Sequence, residues 1–447
     1  MEGRRLHLVS LGCPKNRVDS ECLLGRLLEE GWTVTADPGE ADVIVVHTCA
    51  FIRPAVEESL ETILELARWR AHGPCRRLVV AGCLPQRYGA DLARELPEVD
   101  LFVGVAEVAR IPTLLDAEDP GRVHVGRPAD AFPGATPRAG RWAAHAAYLK
   151  IAEGCHRRCS YCIIPRLRGP LHSRPLAALL NEARSLADDG VRELTLVAQD
   201  TTAWGRDLPE GAHLADLLGT LARVDGLTWI RLLYANPLGV DDRLLEALAA
   251  GLPVLPYVDV PVQHASPRVL GAMGRGIDPA RQEQVLDRLK ACVPGITVRS
   301  TVMVGFPGET DEDVEALLAF VQRRRFDHLG VFRFFPEEGT PAERLPGRVP
   351  VRVARQREDA VVAAQARIAR DTHRARIGCT VEVLVDGPSR EHPFLWEGRL
   401  PGQAPEVDGR VVLTDAPPDL RAGQFRQVRV MRANGVDLVA SLAGGPE

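Results

Sequence analysis

Cys155, Cys159 and Cys162 stand within one short run, Glu153-Gly154-Cys155-His156-Arg157-Arg158-Cys159-Ser160-Tyr161-Cys162. Thiolates suit iron and zinc, and this spacing lets one loop deliver three of them to one metal centre. A structural zinc site wants a fourth ligand, for which His156 or His172 is on offer. Three thiolates alone leave a coordination position open, the usual mark of a catalytic centre. Tyr161, between the last two thiols, is either a shield for such a centre or a packed loop aromatic.

Three further cysteines, Cys13, Cys49 and Cys83, are far apart in the chain. Each follows a strand-like apolar run, at residues 6–11, 41–47 and 77–81. Ligands of open α/β sheets gather beyond the carboxyl ends of the strands, so these thiols can converge at one sheet edge; the alternative is three unrelated buried thiols. Cys22 and Cys75 lack this placement and read as structural.

The elements that must position these groups follow from the hydrophobic rhythm. Strand-like runs at 6–11, 41–47, 77–81 and 101–103 alternate with helical stretches at 20–30 and 54–70, which predicts a three-layer α/β domain over 1–117. Residues 118–142 turn to Gly, Pro, Ala and Arg with little periodicity and read as a linker. From 143 to 370, six strand candidates (147–151, 193–198, 229–233, 254–258, 297–304 and 328–334) alternate with helices at 176–188, 214–224, 241–248, 280–291 and 310–324. That rhythm predicts a partial, TIM-like (βα)6 barrel, with the Cys155 loop after its first strand. A charged helix at 353–370 precedes short strands at 379–385, 397–400, 411–413 and 427–431, a small antiparallel β-barrel over 376–446.

Barrel chemistry is expected at the carboxyl ends of the strands. Gln199 and Asp200, with Thr201 and Thr202, follow the second barrel strand. Asp259, Gln263 and His264 follow the fourth, then Ser266, Met273 and Arg275. In Val304-Gly305-Phe306-Pro307-Gly308-Glu309-Thr310, Gly305 and Gly308 permit close approach of backbone to a ligand, and Glu309 and Thr310 open the next helix; a tight turn with a helix cap is the alternative. Arg231 is a candidate anion contact or a capped structural arginine.

Composition bounds the possibilities. With 45% hydrophobic and 26% charged residues in 447, the chain can bury several cores. Its net charge of -5 gives no support for a dominant polyanion-binding surface. From Arg376 to Glu447 there are 8 Arg or Lys against 10 Asp or Glu, which weakens an RNA-backbone reading of the terminal barrel. No run approaches the roughly 18 apolar residues of a membrane span, and the start has no secretory apolar region, so a cytoplasmic enzyme is expected. Ten cysteines are too few for a disulfide scaffold at this length.

The CxxxCxxC spacing beyond a barrel-opening strand resembles the radical S-adenosylmethionine superfamily. The resemblance implies that Cys155, Cys159 and Cys162 hold a 4Fe-4S cluster with one iron free of protein ligands. The amino and carboxyl groups of S-adenosylmethionine take that iron, and reduction then splits the sulfonium to a 5′-deoxyadenosyl radical. Tyr161, Gln199, Asp200, Arg231, Gln263, Gly305, Gly308 and Glu309 become the expected cofactor-binding set, with Tyr161 near the adenine.

The whole layout resembles the methylthiotransferases, in which the last domain is a TRAM barrel. Cys13, Cys49 and Cys83 match that family's ligands for a second, auxiliary 4Fe-4S cluster. Its open iron takes sulfide from an external sulfur donor, and S-adenosylmethionine serves as methyl donor as well as radical source. The segments Gly12-Cys13-Pro14-Lys15-Asn16-Arg17-Val18-Asp19-Ser20-Glu21, Val197-Ala198-Gln199-Asp200-Thr201-Thr202 and Pro261-Val262-Gln263-His264 resemble the branch that modifies an aspartate of ribosomal protein uS12. The tRNA branch, acting on isopentenylated adenosine, usually carries Gln-Met at Pro14-Lys15. Trp204, where the first branch often has tyrosine, is a mild departure.

The implied product is 3-methylthioaspartate in uS12, free or in the small ribosomal subunit. The implied partners include a reductant delivered by an electron-donor protein. A monomer is expected, without membrane or tRNA binding. The alternatives are a tRNA methylthiotransferase and a non-enzymatic iron–sulfur or zinc scaffold that binds ribosomes.

Overall fold

The computed structural model describes residues 4–128, 137–209 and 211–442. Positions 129–136 of the expected linker and 443–446 of the expected terminal barrel lie outside the described residues.

The first unit runs β1 (Arg5–Ser10), α1 (Pro14–Glu29), β2 (Thr33–Val34), β3 (Val43–Thr48) and α2 (Arg53–His72). It continues with β4 (Arg77–Gly82), α3 (Cys83–Glu95), β5 (Leu101–Gly104), α4 (Ile111–Asp116) and β6 (Val123–His124). The sheet is parallel throughout, in the order β2-β1-β3-β4-β5-β6. β3 reads VIVVHT and is buried along its length, as a strand covered on both faces must be. Ile44 and Val46 pack with Ile63 of α2 and Leu84 of α3, whereas Val43 and Val45 pack with Leu23 of α1 and Ile111 of α4. Three layers result. The edge strands β2 and β6 escape sequence reading because two residues carry no period, and β6 falls inside the stretch read as a linker.

The second unit opens with β7 (Ala146–Lys150), β8 (Ala152–Glu153), α5 (Ile164–Arg168), β9 (His172–Ser173) and α6 (Leu176–Asp188). Then come β10 (Glu193–Val197), α7 (Leu214–Leu221), β11 (Trp229–Leu232), α8 (Asp242–Ala249), β12 (Val254–Asp259), α9 (Pro267–Ala272) and α10 (Pro279–Cys292). It ends with β13 (Thr297–Val304), α11 (Asp311–Arg324), β14 (His328–Arg333) and α12 (Val351–Arg374). Six parallel strands lie in the order β7-β10-β11-β12-β13-β14, an open, partial barrel. Its outer face packs against Leu179 of α6, Leu217 of α7, Leu244 of α8, Val285 of α10 and Leu317 of α11. α12 buries Ala354, Arg357, Val361, Ala364 and Ile368 at helical spacing.

The third unit is a closed five-stranded barrel of β15 (Thr380–Pro388), β16 (Trp396–Arg399), β17 (Val411–Leu413), β18 (Phe425–Asn434) and β19 (Asp437–Leu442). It is antiparallel except at one seam, where β17 and β19 run parallel. An odd number of strands cannot alternate around a closed ring, so one parallel pair is unavoidable. This unit docks on the larger barrel through Glu193, which starts β10, and through Tyr148 and Tyr257, which lie within β7 and β12. The hydroxyls of Tyr257 and Tyr148 donate to Asp408 and Glu406 at 2.7 and 2.9 Å, and Arg399 pairs with Glu193 at 2.6 Å.

Candidate active site

The Cys155 loop leaves β8 and returns into α5. At Gly154 (φ +73°) a Cβ would lie 2.0 Å from the carbonyl oxygen of Pro170, so only glycine lets the two chain segments close. The Cys155 N–H then donates to Gly169 O at 3.0 Å. Ser160, between the second and third thiols, anchors the far side: its N–H donates to Met273 O (2.9 Å) and its carbonyl accepts from Ala342 (2.8 Å). Arg157 pairs with Asp200 at 2.6 Å. Burial, then the neighbouring thiols of Cys159 and Cys155, push the Cys162 thiol up to about 12. Metal coordination would favour the thiolates that burial disfavours here.

The structure also gathers the dispersed cysteines. Cys13 is the N-cap of α1, Cys49 follows β3, and Cys83 opens α3 after β4. β1, β3 and β4 are parallel neighbours in register, Ser10 opposite His47 and Thr48 opposite Gly82. Their carboxyl ends share one edge, at the point where strand order reverses between β1 and β3. At Gly12 (φ +92°) a Cβ would lie 2.5 Å from Cβ of Cys49, which shows how tightly the two loops meet. Burial, then Cys83 and Cys13, push the Cys49 thiol up to about 12. Among the described residues no group of three or more His, Cys, Asp or Glu is drawn tightly enough for a single metal ion.

The two thiol sets meet across a buried ionic seam that sequence reading missed. Arg168, at the end of α5, donates to Cys83 Sγ at 3.4 Å, to Asp19 at 2.9 Å and to Glu153 at 3.0 Å, and it also contacts Asn16 Oδ1. Lys150 pairs with Asp19 and, at 2.9 Å, with Glu153. Burial alone would raise the Asp19 carboxyl, but Lys150 and Arg168 hold it well below the usual carboxylate range. The signal available in sequence was charge in an apolar frame: Lys150 ends a strand and Glu153 precedes the cysteine run.

Several expected cofactor contacts take other roles. Arg231 is a correction. It is fully buried, pairs with Glu193 at 2.9 Å and donates to Pro401 O at 2.7 Å, so it fastens the terminal barrel. Glu309 turns inward, accepting the Gly305 N–H on both oxygens (2.9 and 3.0 Å) and pairing with Arg357 at 2.8 Å. It holds its loop and presents no free carboxylate. Gly305 is required by helix α12, since a Cβ there would lie 2.7 Å from Ala354 Cβ; Gly308 (φ +81°) completes the same turn.

Others stay at the carboxyl face. Asp200 positions the cysteine loop through Arg157, and Gln199 donates to Glu153. Gln263 adopts φ +69°, its N–H donating to Thr301 O (2.8 Å) and its carbonyl accepting from Met303 (2.7 Å). Backbone strain of this kind gathers at functional sites. Tyr161 packs beside Met273 and Phe306. Arg275, from the second polar group, donates to Cys159 Sγ at 3.7 Å and to Pro261 O at 2.8 Å. Ser266 caps α9, and Met273 is core.

Comparison with known proteins places this geometry. The chain is 45% identical over 453 residues to ribosomal protein uS12 methylthiotransferase RimO of Syntrophus aciditrophicus, covering all of both chains. It is 47% identical to the protein of that name from Anaeromyxobacter sp. (strain K), covering 97% of this chain and 92% of that one. For the Geobacter sulfurreducens protein the identity is 44%, with 98% of each covered. The chain belongs to the ribosomal protein uS12 methylthiotransferase family. Within this methylthiotransferase, residues 5–104 match uncharacterized protein family UPF0004, 149–321 the Radical SAM superfamily and 377–442 the TRAM domain. Such an enzyme works with S-adenosylmethionine and at least one iron–sulfur cluster.

Solved structures agree on the fold. The radical S-adenosylmethionine methyltransferase TsrM from Kitasatospora setae superposes with a TM-score of 0.58 at 18% identity, covering 83% of this chain and 91% of that one. The cobalamin-dependent radical enzyme OxsB gives 0.51 at 14%, covering 82% and 56%. No helix among the described residues is long and apolar enough to cross a membrane.

Proposed function

We propose that this enzyme inserts sulfur and a methyl group at the β-carbon of an aspartate of ribosomal protein uS12, giving 3-methylthioaspartate. In this reading Cys155, Cys159 and Cys162 hold the radical 4Fe-4S cluster, and Cys13, Cys49 and Cys83 hold an auxiliary one. The observation that carries it is the meeting of both thiol sets across one seam, with Arg168 touching Cys83 and Glu153 together.

When bound, S-adenosylmethionine and the two clusters supply the electron, the hydrogen-abstracting radical, the sulfur and the methyl group. The chain's own residues do the rest. An aspartate β-carbon is not acidic enough for a side-chain base, so the protein's work is to position the atom and exclude competing reactions. Arg157 and Asp200 brace the first thiol loop, and Arg275 donates to Cys159. Asn16 ties the second site together, donating to Leu11 O (3.1 Å) and Thr48 O (2.9 Å).

The reading includes an external sulfur donor, an electron-donor protein and a monomeric chain in the cytoplasm, with domains at 1–117, 143–370 and 376–446 and a linker at 118–142. The acidic balance of the terminal barrel supports a protein substrate over tRNA. The test is mass spectrometry of uS12 and tRNA from cells with and without the gene. Loss of one methylthio group from uS12 is expected; loss from tRNA with uS12 unchanged overturns the reading.

A further inference from the structure

Lys15 and Arg275 are buried cations that no carboxylate pairs among the described residues, and Arg275 instead donates to Cys159 Sγ and Pro261 O. Arg138, Lys150, Arg157 and Arg168 each pair with a carboxylate. Lys15 is 9% exposed and pairs with none among the described residues; its ammonium lies 3.6 Å from the centroid of the Tyr234 ring. A buried charge without a counter-charge is costly unless something supplies one.

Its surroundings define what that something is. Lys15 lies two residues beyond Cys13, in the first turn of α1, where no acidic residue stands and the helix adds its own partial positive charge. Tyr234 follows β11 at the carboxyl face of the barrel and is held at φ +58°. Its N–H donates to Asp259 at 3.2 Å and its carbonyl accepts from Thr201 at 3.1 Å. Thr201 adjoins Asp200, the partner of Arg157 in the Cys155 loop. Lys15 thus lies beside Cys13, and the ring under its ammonium is linked through Thr201, Asp200 and Arg157 to the Cys155 loop.

We infer that Lys15 receives the side-chain carboxylate of the aspartate being modified and selects for that charge; this rests on the function proposed above. Sulfur is added to the carbon bonded to that carboxylate, so the carboxylate must lie beside the reacting carbon, between the two thiol sets. Of the cations near the two thiol sets, Arg168 is held by Asp19 and Glu153 and Arg275 by Cys159 and Pro261 O, whereas Lys15 is held by no carboxylate among the described residues. A neutral group there forgoes the charge-assisted contact, so the same residue discriminates against it.

The test measures binding of two labelled uS12 peptides to the reconstituted holoenzyme by fluorescence anisotropy, one with the target aspartate and one with asparagine in its place. The unaltered enzyme prefers aspartate by on the order of tenfold to a hundredfold, the range of a charge-assisted contact. Lys15→Met removes the preference while still binding the asparagine peptide, and Lys15→Arg keeps most of it. In turnover, Lys15→Met raises KM more than it lowers kcat. An undiminished aspartate preference in Lys15→Met overturns this assignment alone. If Lys15→Met does not fold, loss of the whole preference in a fully iron-loaded Lys15→Arg overturns it instead. An unaltered holoenzyme that neither binds nor modifies the aspartate peptide overturns the substrate reading, and this inference with it.

Discussion

The two cysteine triads solve one problem by opposite means. Cys155, Cys159 and Cys162 come from a single loop, held in shape by backbone hydrogen bonds at Cys155 and Ser160 and by the Arg157–Asp200 pair. Cys13, Cys49 and Cys83 come from three loops, brought together only because β1, β3 and β4 are parallel neighbours. The first site is a local property of a short segment. The second is a property of a whole sheet, and it is completed from outside, by Arg168 of the other unit. A locally built site tolerates changes elsewhere, whereas a topologically built one depends on its frame.

The largest expected effects separate the two chemically. Cys155→Ala abolishes reductive cleavage of S-adenosylmethionine, read as 5′-deoxyadenosine by chromatography. Cys49→Ala spares much of that cleavage and stops sulfur insertion, read by mass spectrometry of uS12. Equal loss of both activities in Cys49→Ala would break the comparison.

Arg168→Met sharpens it. Removing the cation leaves Asp19 and Glu153 with Lys150 as their remaining cationic partner in the seam, and breaking a buried pair typically costs about 3–5 kcal/mol. Denaturant unfolding should show that loss, and the dispersed triad should lose its iron before the loop triad does. Simultaneous loss would place both sites under one frame.

Smaller effects belong to the interface with the terminal barrel. Arg231→Met removes one of two cations from Glu193 and weakens docking of the terminal barrel, by about 1–3 kcal/mol. Thermal unfolding reads this, and KM for S-adenosylmethionine stays unchanged. The same interface gives a pH dependence. Burial alone would raise Glu193 and Asp386, yet Arg399 holds both below the usual carboxylate range. Their contribution is therefore complete above the unfolded carboxyl value of about 4 and is lost as pH falls through their lowered folded values. Hydrogen exchange in β15 and β16 should quicken below about pH 4, whereas exchange that quickens on raising pH beyond its chemical trend would contradict the sign.

The contrast between the triads also explains what sequence could reveal. The loop triad was legible in its spacing, and the dispersed triad in the placement of each cysteine after an apolar run. The central strands were legible because buried parallel strands are continuous apolar runs, as in β3. What stayed hidden depends on partners distant in sequence. Arg231 looks like a site arginine at a strand end, yet Glu193 and Pro401 claim it. Glu309 looks like a polar residue at a ligand loop, yet it turns back on Gly305 and Arg357. Lys150, Glu153, Asp19 and Arg168 show their pairing only when two units meet. The fifth strand of the terminal barrel, β19, escapes sequence reading even though Leu438 and Ala440 alternate with more exposed neighbours, and its place in the ring follows from its pairing with β17 and β18.

The central claim is that the triads hold two separate clusters, and anaerobic reconstitution with iron and sulfide analysis tests it most directly. The unaltered chain should bind about eight irons, four for each cluster. A variant with all of Cys155, Cys159 and Cys162 replaced by alanine, and another with Cys13, Cys49 and Cys83 replaced, should each keep about four, with distinct electron paramagnetic resonance signals after reduction. A chain that binds a single zinc, or one that loses all its iron when either triad is removed, would contradict the account.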